Sequence, residues 1–148
     1  MTNTSLPSSH RIVVGVDGSD SSMRALDWAI TQAELTKASV LVVAVWHWPA
    51  ALGWGIPLAP PYIPTQETET VLADVLDPIR TKHPDVTIES RVVEGHPAPA
   101  LIEASREADL LVVGSRGHGE FAGMLLGSVS EHCVSHASCP VLVLREEP

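Results

Sequence analysis

The chain has 148 residues, 45% hydrophobic and 18% charged, with a formal net charge of −9 when the histidines are neutral. That balance suits one domain with a full apolar core and excludes a disordered chain. The negative field, with no basic run to offset it, argues against nucleic acid as a partner, whereas a mononucleotide stays open because backbone amides and a helix terminus hold phosphate without lysine.

Residues 1–10 are polar with a single leucine, so they lack the apolar stretch of a secretion signal and read as a loose tail before a single domain, 11–148. No apolar run reaches membrane-spanning length, so no membrane partner is expected and the cytoplasm is the expected compartment. Cys133 and Cys139, without C-x-x-C spacing, suit reduced thiols there.

Arg11 to Asp17, RIVVGVD, predicts a strand that ends in the turn-and-cap cluster Asp17-Gly18-Ser19-Asp20. Met23, Leu26, Ile30 and Ala33 then recur at helical spacing, with Asp20 or Ser21 as the expected cap. Ser39 to Trp46 is a second strand, too apolar to leave a face in water. His47 to Gln66 is crowded with proline and glycine and carries Trp48, Trp54 and Tyr62, so no regular element is expected. It reads as a binding loop or a plain connection. Val71, Leu72, Val75, Leu76 and Ile79 make the next helical stripe, which should end near Lys82 or His83, before Pro84. Thr87 to Val93 mixes polar and apolar residues as a half-exposed edge strand does, and Gly95, Pro97 and Pro99 lead into a short helix with Leu101, Ile102 and Ala104.

Asp109 to Val113 is short, apolar and β-branched, which suits a strand buried on both faces of a parallel sheet, and Gly114 ends it. From there to Gly127 the chain carries Gly117, Gly119 and Gly123 and no proline, so its amides can approach a ligand closely. Ser128 and Glu131 have the spacing of a capping box, which would place the open amides of a helix's first turn just after Gly127, where an anion is attracted. The structural reading stands beside this one: a glycine-rich connection whose Ser128 only caps its helix. Asp17 likewise either meets a nucleoside or a phosphate-bridging cation, or merely forms a turn. Arg116 either pairs with phosphate or is solvated.

His132 and His136 stand four apart on a helix face, a spacing that can bind a transition metal, but Cys133 points about 100° away and with Val134 and Ala137 suits a buried stripe. No metal site is assigned. With no lysine in the cradle, no base for water and no G-x-S-x-G elbow, no catalytic residue is assigned either, and any hydrolysis would be slow. Pro140 starts a last strand, Val141 to Arg145.

Strands alternating with helices predict a doubly wound α/β sandwich with a mostly parallel sheet, whose ligands bind outside the strands' carboxyl ends where strand order reverses. The spacing Gly114-x2-Gly117-x9-Gly127-Ser128, with V-G-V-D-G-S near the start, G-S-V-S-E-H after the cradle and C-P-V-L-V at the end, resembles the universal stress protein family across nearly the whole chain. The likeness is to its ATP-binding subgroup. It implies a Rossmann-like, three-layer fold with five parallel strands in the order 3-2-1-4-5. It implies that Gly15 and Asp17 line the pocket, that Val45 meets adenine, that Gly114, Arg116 and Gly117 flank ribose and phosphate, and that Gly127, Ser128, Val129 and Ser130 hold the terminal phosphates. ATP, with Mg as an optional companion, is the implied ligand, and a nucleotide-dependent stress-response regulator or sensor the implied role. A slow ATP-hydrolysing or nucleotidyl-transferring enzyme, and a non-nucleotide interaction module of the same fold, are the alternatives. The family's sheet also puts Val141 to Arg145 at an edge, which implies a homodimer through that strand.

Overall fold

The computed structural model describes residues 10–46, 64–115 and 126–145. In chain order they form β1 (Arg11–Val16), α1 (Asp20–Thr36), β2 (Ser39–Trp46), α2 (Pro64–Lys82), β3 (Ile88–Glu94), α3 (Pro97–Ser105), β4 (Leu110–Gly114), α4 (Ser128–His136) and β5 (Val141–Leu144). The five strands make one parallel sheet in the order β3-β2-β1-β4-β5. β1 is its pivot, with Val13 beside Leu41 on one side and Leu111 on the other.

The apolar runs are explained by this centre. Side chains alternate along a strand, so a strand covered on both faces must be apolar at every position. Ile12, Val14, Val40, Val42 and Val112 point to one face and pack under α1 and α2 with Leu26, Ile30, Leu72 and Leu76. Val13, Leu41, Val43, Leu111 and Val113 point to the other, against Leu101 of α3 and Cys133 of α4. β3 lies at an edge with a largely exposed middle, as its mixed composition predicts, and the half-buried β5 forms the opposite edge.

Several expectations need correction. α1 is capped by Ser19, whose side chain accepts from the Ser22 amide, and not by Asp20 or Ser21. α2 begins at Pro64, inside the stretch expected to hold no regular element; proline's fixed φ and missing N–H are no handicap in a helix's first turn. The remainder of that stretch, 47–63, lies outside the described residues. α3 starts at Pro97 and includes Pro99, for the same reason. Val71 and Val134, read as stripe residues, are 58% and 52% exposed, because each sits at the margin of its helix's buried face.

Candidate functional site

The carboxyl ends of β1 and β4 stand side by side where the chain leaves the sheet toward opposite faces: α1 follows β1 and α4 follows β4. The β1–α1 turn is fixed by its own polar groups. Asp17 Oδ1 accepts the Ser19 amide at 2.9 Å, and Gly18 takes φ 85°, a left-handed conformation that glycine adopts without strain. Ser22 Oγ donates to the Ser19 carbonyl at 3.0 Å and accepts the Asp17 amide at 3.3 Å. The turn-forming role of Asp17 is therefore present in the structure.

Packing bears on two motif glycines, strictly at Gly114 and more loosely at Gly15. A Cβ on Gly114 would lie 2.5 Å from Ser21 Oγ and 2.7 and 2.8 Å from backbone atoms of Ser21 and Ser22, so only glycine lets the start of α1 come down on the end of β4. A Cβ on Gly15 would lie 2.8 Å from Leu101 Cδ1, where α3 crosses β1. The bare backbone at both positions also keeps the crevice between the strand ends open.

The start of α4 differs from the expected capping box. Its N-cap is Gly127, at φ −73° and ψ 167°, with no side-chain cap; Ser128 is the first helical residue and is exposed. Backbone contacts hold the end in place of a cap. Gly127 donates its amide to the Ser115 carbonyl at 2.6 Å, Ser115 donates its own to Leu144 at 2.7 Å, and the Glu131 amide reaches the Gly127 carbonyl at 2.9 Å. The buried Ser130 hydroxyl shares its proton between the Ser115 and Gly127 carbonyls, 3.1 Å from each. Ser130 is thus the structural serine, and Ser128 is the one turned outward.

These loops line a small crevice of about 70 Å³ that opens to solvent. Of the residues predicted for the site, Gly15, Asp17, Val45, Gly114, Gly127, Val129 and Ser130 all line it. Ser128 is not part of the lining, and Arg116 and Gly117 lie outside the described residues. Sequence reading missed Val16, Ser22, Val43, Pro97, Leu101 and Val113. Val43 was within reach, since it shares a strand face with Val45 two residues on.

The lining divides by chemistry. Val43, Val45, Leu101, Val113 and Val129 form an apolar wall continuous with the core beneath α3 and α4, while Asp17, Ser22 and Ser130 supply polar groups at the strand ends. The first amides of a helix lack intrahelical acceptors and lie at the positive end of its dipole, so the mouth of α4 favours an anion. Among the described residues no three His, Cys, Asp or Glu gather as metal ligands. Cys133, at the base of α4, is no nucleophile, because burial pushes its thiol up to about 11. The crevice thus sets an apolar wall beside polar groups and the start of a helix.

Comparison with known proteins agrees with this architecture. Residues 8–145 match the universal stress protein family. The chain is similar to a universal stress protein of Mycobacterium tuberculosis, 37% identical over 147 residues, covering 95% of this chain and 46% of that relative. It spans under half the length of the curated relatives it matches. Among solved structures, it is similar to a universal stress protein in complex with cAMP, 36% identical, with a TM-score of 0.64 over 91% of this chain and 95% of the other. A universal stress protein family member from Arabidopsis thaliana with AMP bound has a TM-score of 0.64 over 93% and 92% of the two chains; at 22% identity it speaks for the fold alone. The chain belongs to the universal stress protein family.

Proposed function

We propose that this chain binds an adenine nucleotide in the crevice between the ends of β1 and β4 and acts as a nucleotide-dependent regulator or sensor in a stress response. The observation that carries the reading is convergence: Gly15 and Asp17, Val45, Gly114, and Gly127 with Val129 and Ser130 come from four separate stretches of chain to one crevice. That crevice lies at the reversal of strand order, where open α/β sheets bind ligands. The 36%-identical relative whose structure is in complex with cAMP supports an adenine nucleotide as the ligand class.

In this reading the base lies against Val43 and Val45, and the phosphates meet the first turn of α4 through the amides after Gly127. Ser128, facing outward beside that turn, reaches the outermost phosphate, and Arg116 and Gly117 flank the ribose and phosphates. Ser130 contributes its amide, since its hydroxyl is engaged with two carbonyls. ATP is the nucleotide assigned in this reading, and Asp17 would supply a hard oxygen ligand if Mg accompanied it. The role is binding and not fast turnover, in a cytoplasmic protein whose residues 11–148 form one domain and pair in a homodimer through Val141 to Arg145. The half-exposed β5 edge supports that last element.

A second reading, a non-nucleotide interaction module, is favoured by the packing at Gly15 and Gly114, which accounts for both glycines without a ligand. Mass spectrometry of nucleotide released from the purified protein, followed by calorimetry with ATP, separates the two. Nucleotide binding predicts micromolar affinity, about −8 kcal/mol, sharply weakened by Gly117→Val; absence of any heat up to millimolar ATP, AMP and cAMP leaves the interaction module.

A further inference from the structure

The open face of α4 carries a feature that the crevice does not use. Positions 128, 132 and 136 recur every four residues along this nine-residue helix, so they share one face, and all three are exposed. The rings of His132 and His136 stack there, with centroids 5.1 Å apart and planes inclined by 23°. Nδ1 of His136 lies 3.2 Å from the carbonyl oxygen of His132. A carbonyl oxygen only accepts, so the contact requires a proton on Nδ1, and in the neutral ring of that tautomer Nε2 keeps its lone pair. Ligating histidines are commonly prepared in this way: one ring nitrogen donates to a backbone carbonyl, which orients the ring, and the other faces the metal.

We propose that His132 and His136 form a two-histidine chelate for a divalent transition-metal ion of the imidazole-preferring class, Cu2+ ahead of Ni2+ and Zn2+. The order is that of intrinsic affinity for nitrogen ligands. Two nitrogens bound side by side at about 2.0–2.1 Å from a metal lie about 3 Å apart, so the two stacked rings must turn toward one ion, a motion open to exposed side chains on one helix face. Cys133 is not a third ligand, because its side chain is fully buried against the sheet. With no group of three His, Cys, Asp or Glu among the described residues, the remaining coordination positions belong to water or to a donor from another molecule. The site is therefore one that loads and unloads, not a structural ion. Its position has a consequence: the chelate spans the last turns of the helix whose first turn walls the crevice, so an ion that clips His132 to His136 holds α4 in helical form.

The test is calorimetric titration of the tag-free full chain with Ni2+, which avoids thiol oxidation, in a buffer without chelators. The expected result is one ion per chain, with affinity reduced at least about tenfold in His132→Ala and in His136→Ala, and unchanged in His10→Ala. Both histidines are exposed, so metal-free melting should be alike in all variants. Nitrogen-detected spectra of the histidine rings give an independent readout, in which Ni2+ broadens Nε2 of His132 and His136 before any other ring. Unaltered affinity in both α4 variants, no binding at millimolar Ni2+, or earlier broadening of other histidines overturns the assignment.

Discussion

On one face of the sheet α1 and α2, of 17 and 19 residues, cover a cluster of sixteen buried residues; on the other α3 and α4, of nine residues each, cover seven, among those described. Apolar burial stabilises roughly in proportion to area, so among the described residues the first face contributes the larger share. The crevice opens on the second, where short helices leave strand ends uncovered and Val43, Val45, Leu101, Val113 and Val129 form an apolar wall. The larger core and the proposed site thus stand on opposite sides of one sheet, joined at Gly114, where the start of α1 rests on the end of β4.

The largest effect expected is on the thick face. Leu26→Ala or Leu76→Ala, each truncating a fully buried side chain, should cost about 2–5 kcal/mol in urea unfolding and leave ligand affinity of the folded protein intact. A loss no greater than that of Cys133→Ala on the thin face would break the comparison. Gly114→Ala comes next, near the upper end of about 1–3 kcal/mol, because the new methyl meets backbone and cannot be relieved by a rotamer. Gly15→Ala should cost less, since its methyl meets the movable tip of Leu101. Melting curves that rank the two glycine variants in reverse would contradict the packing account.

At the mouth of α4 the two serines should separate. Ser130→Ala leaves the Ser115 and Gly127 carbonyls without their shared donor and should cost roughly 1–3 kcal/mol. Ser128→Ala, at an exposed position, should stay within about 0.5 kcal/mol while weakening nucleotide binding. Equal melting losses would refute this division. A separate test is the dependence on alkaline pH. The folded Cys133 thiol holds its proton to about pH 11 against an ordinary value of 9.0. Folded chains therefore bind more protons than unfolded ones between those values, and this contribution to stability, complete below pH 9, is lost as pH rises toward 11. Cys133→Ser should flatten that part of the stability profile.

The strands were legible because burial on both faces removes polar residues, and β2 was bounded in the sequence to the residue. The order of strands was not, since adjacency of β1 and β4 is a long-range property, and it entered through the family resemblance. The crevice wall at Pro97 and Leu101 escaped for the same reason: nothing local says that α3 crosses β1. The capping box at Ser128 misled because its pattern describes side chains, whereas the helix start is held by backbone bonds to Ser115 and by Ser130 from within. The start of α2 was hidden because Pro64 opens a helix as readily as other prolines break one.

The claim that the thin face carries a nucleotide site is tested most directly by amide NMR of the full chain titrated with ATP. The account predicts saturable shifts at micromolar ATP, largest at Gly15, Asp17, Gly114 and Gly127 through Ser130, with the α1 and α2 core residues still. Shifts confined to other surfaces, or none at millimolar ATP, would contradict it.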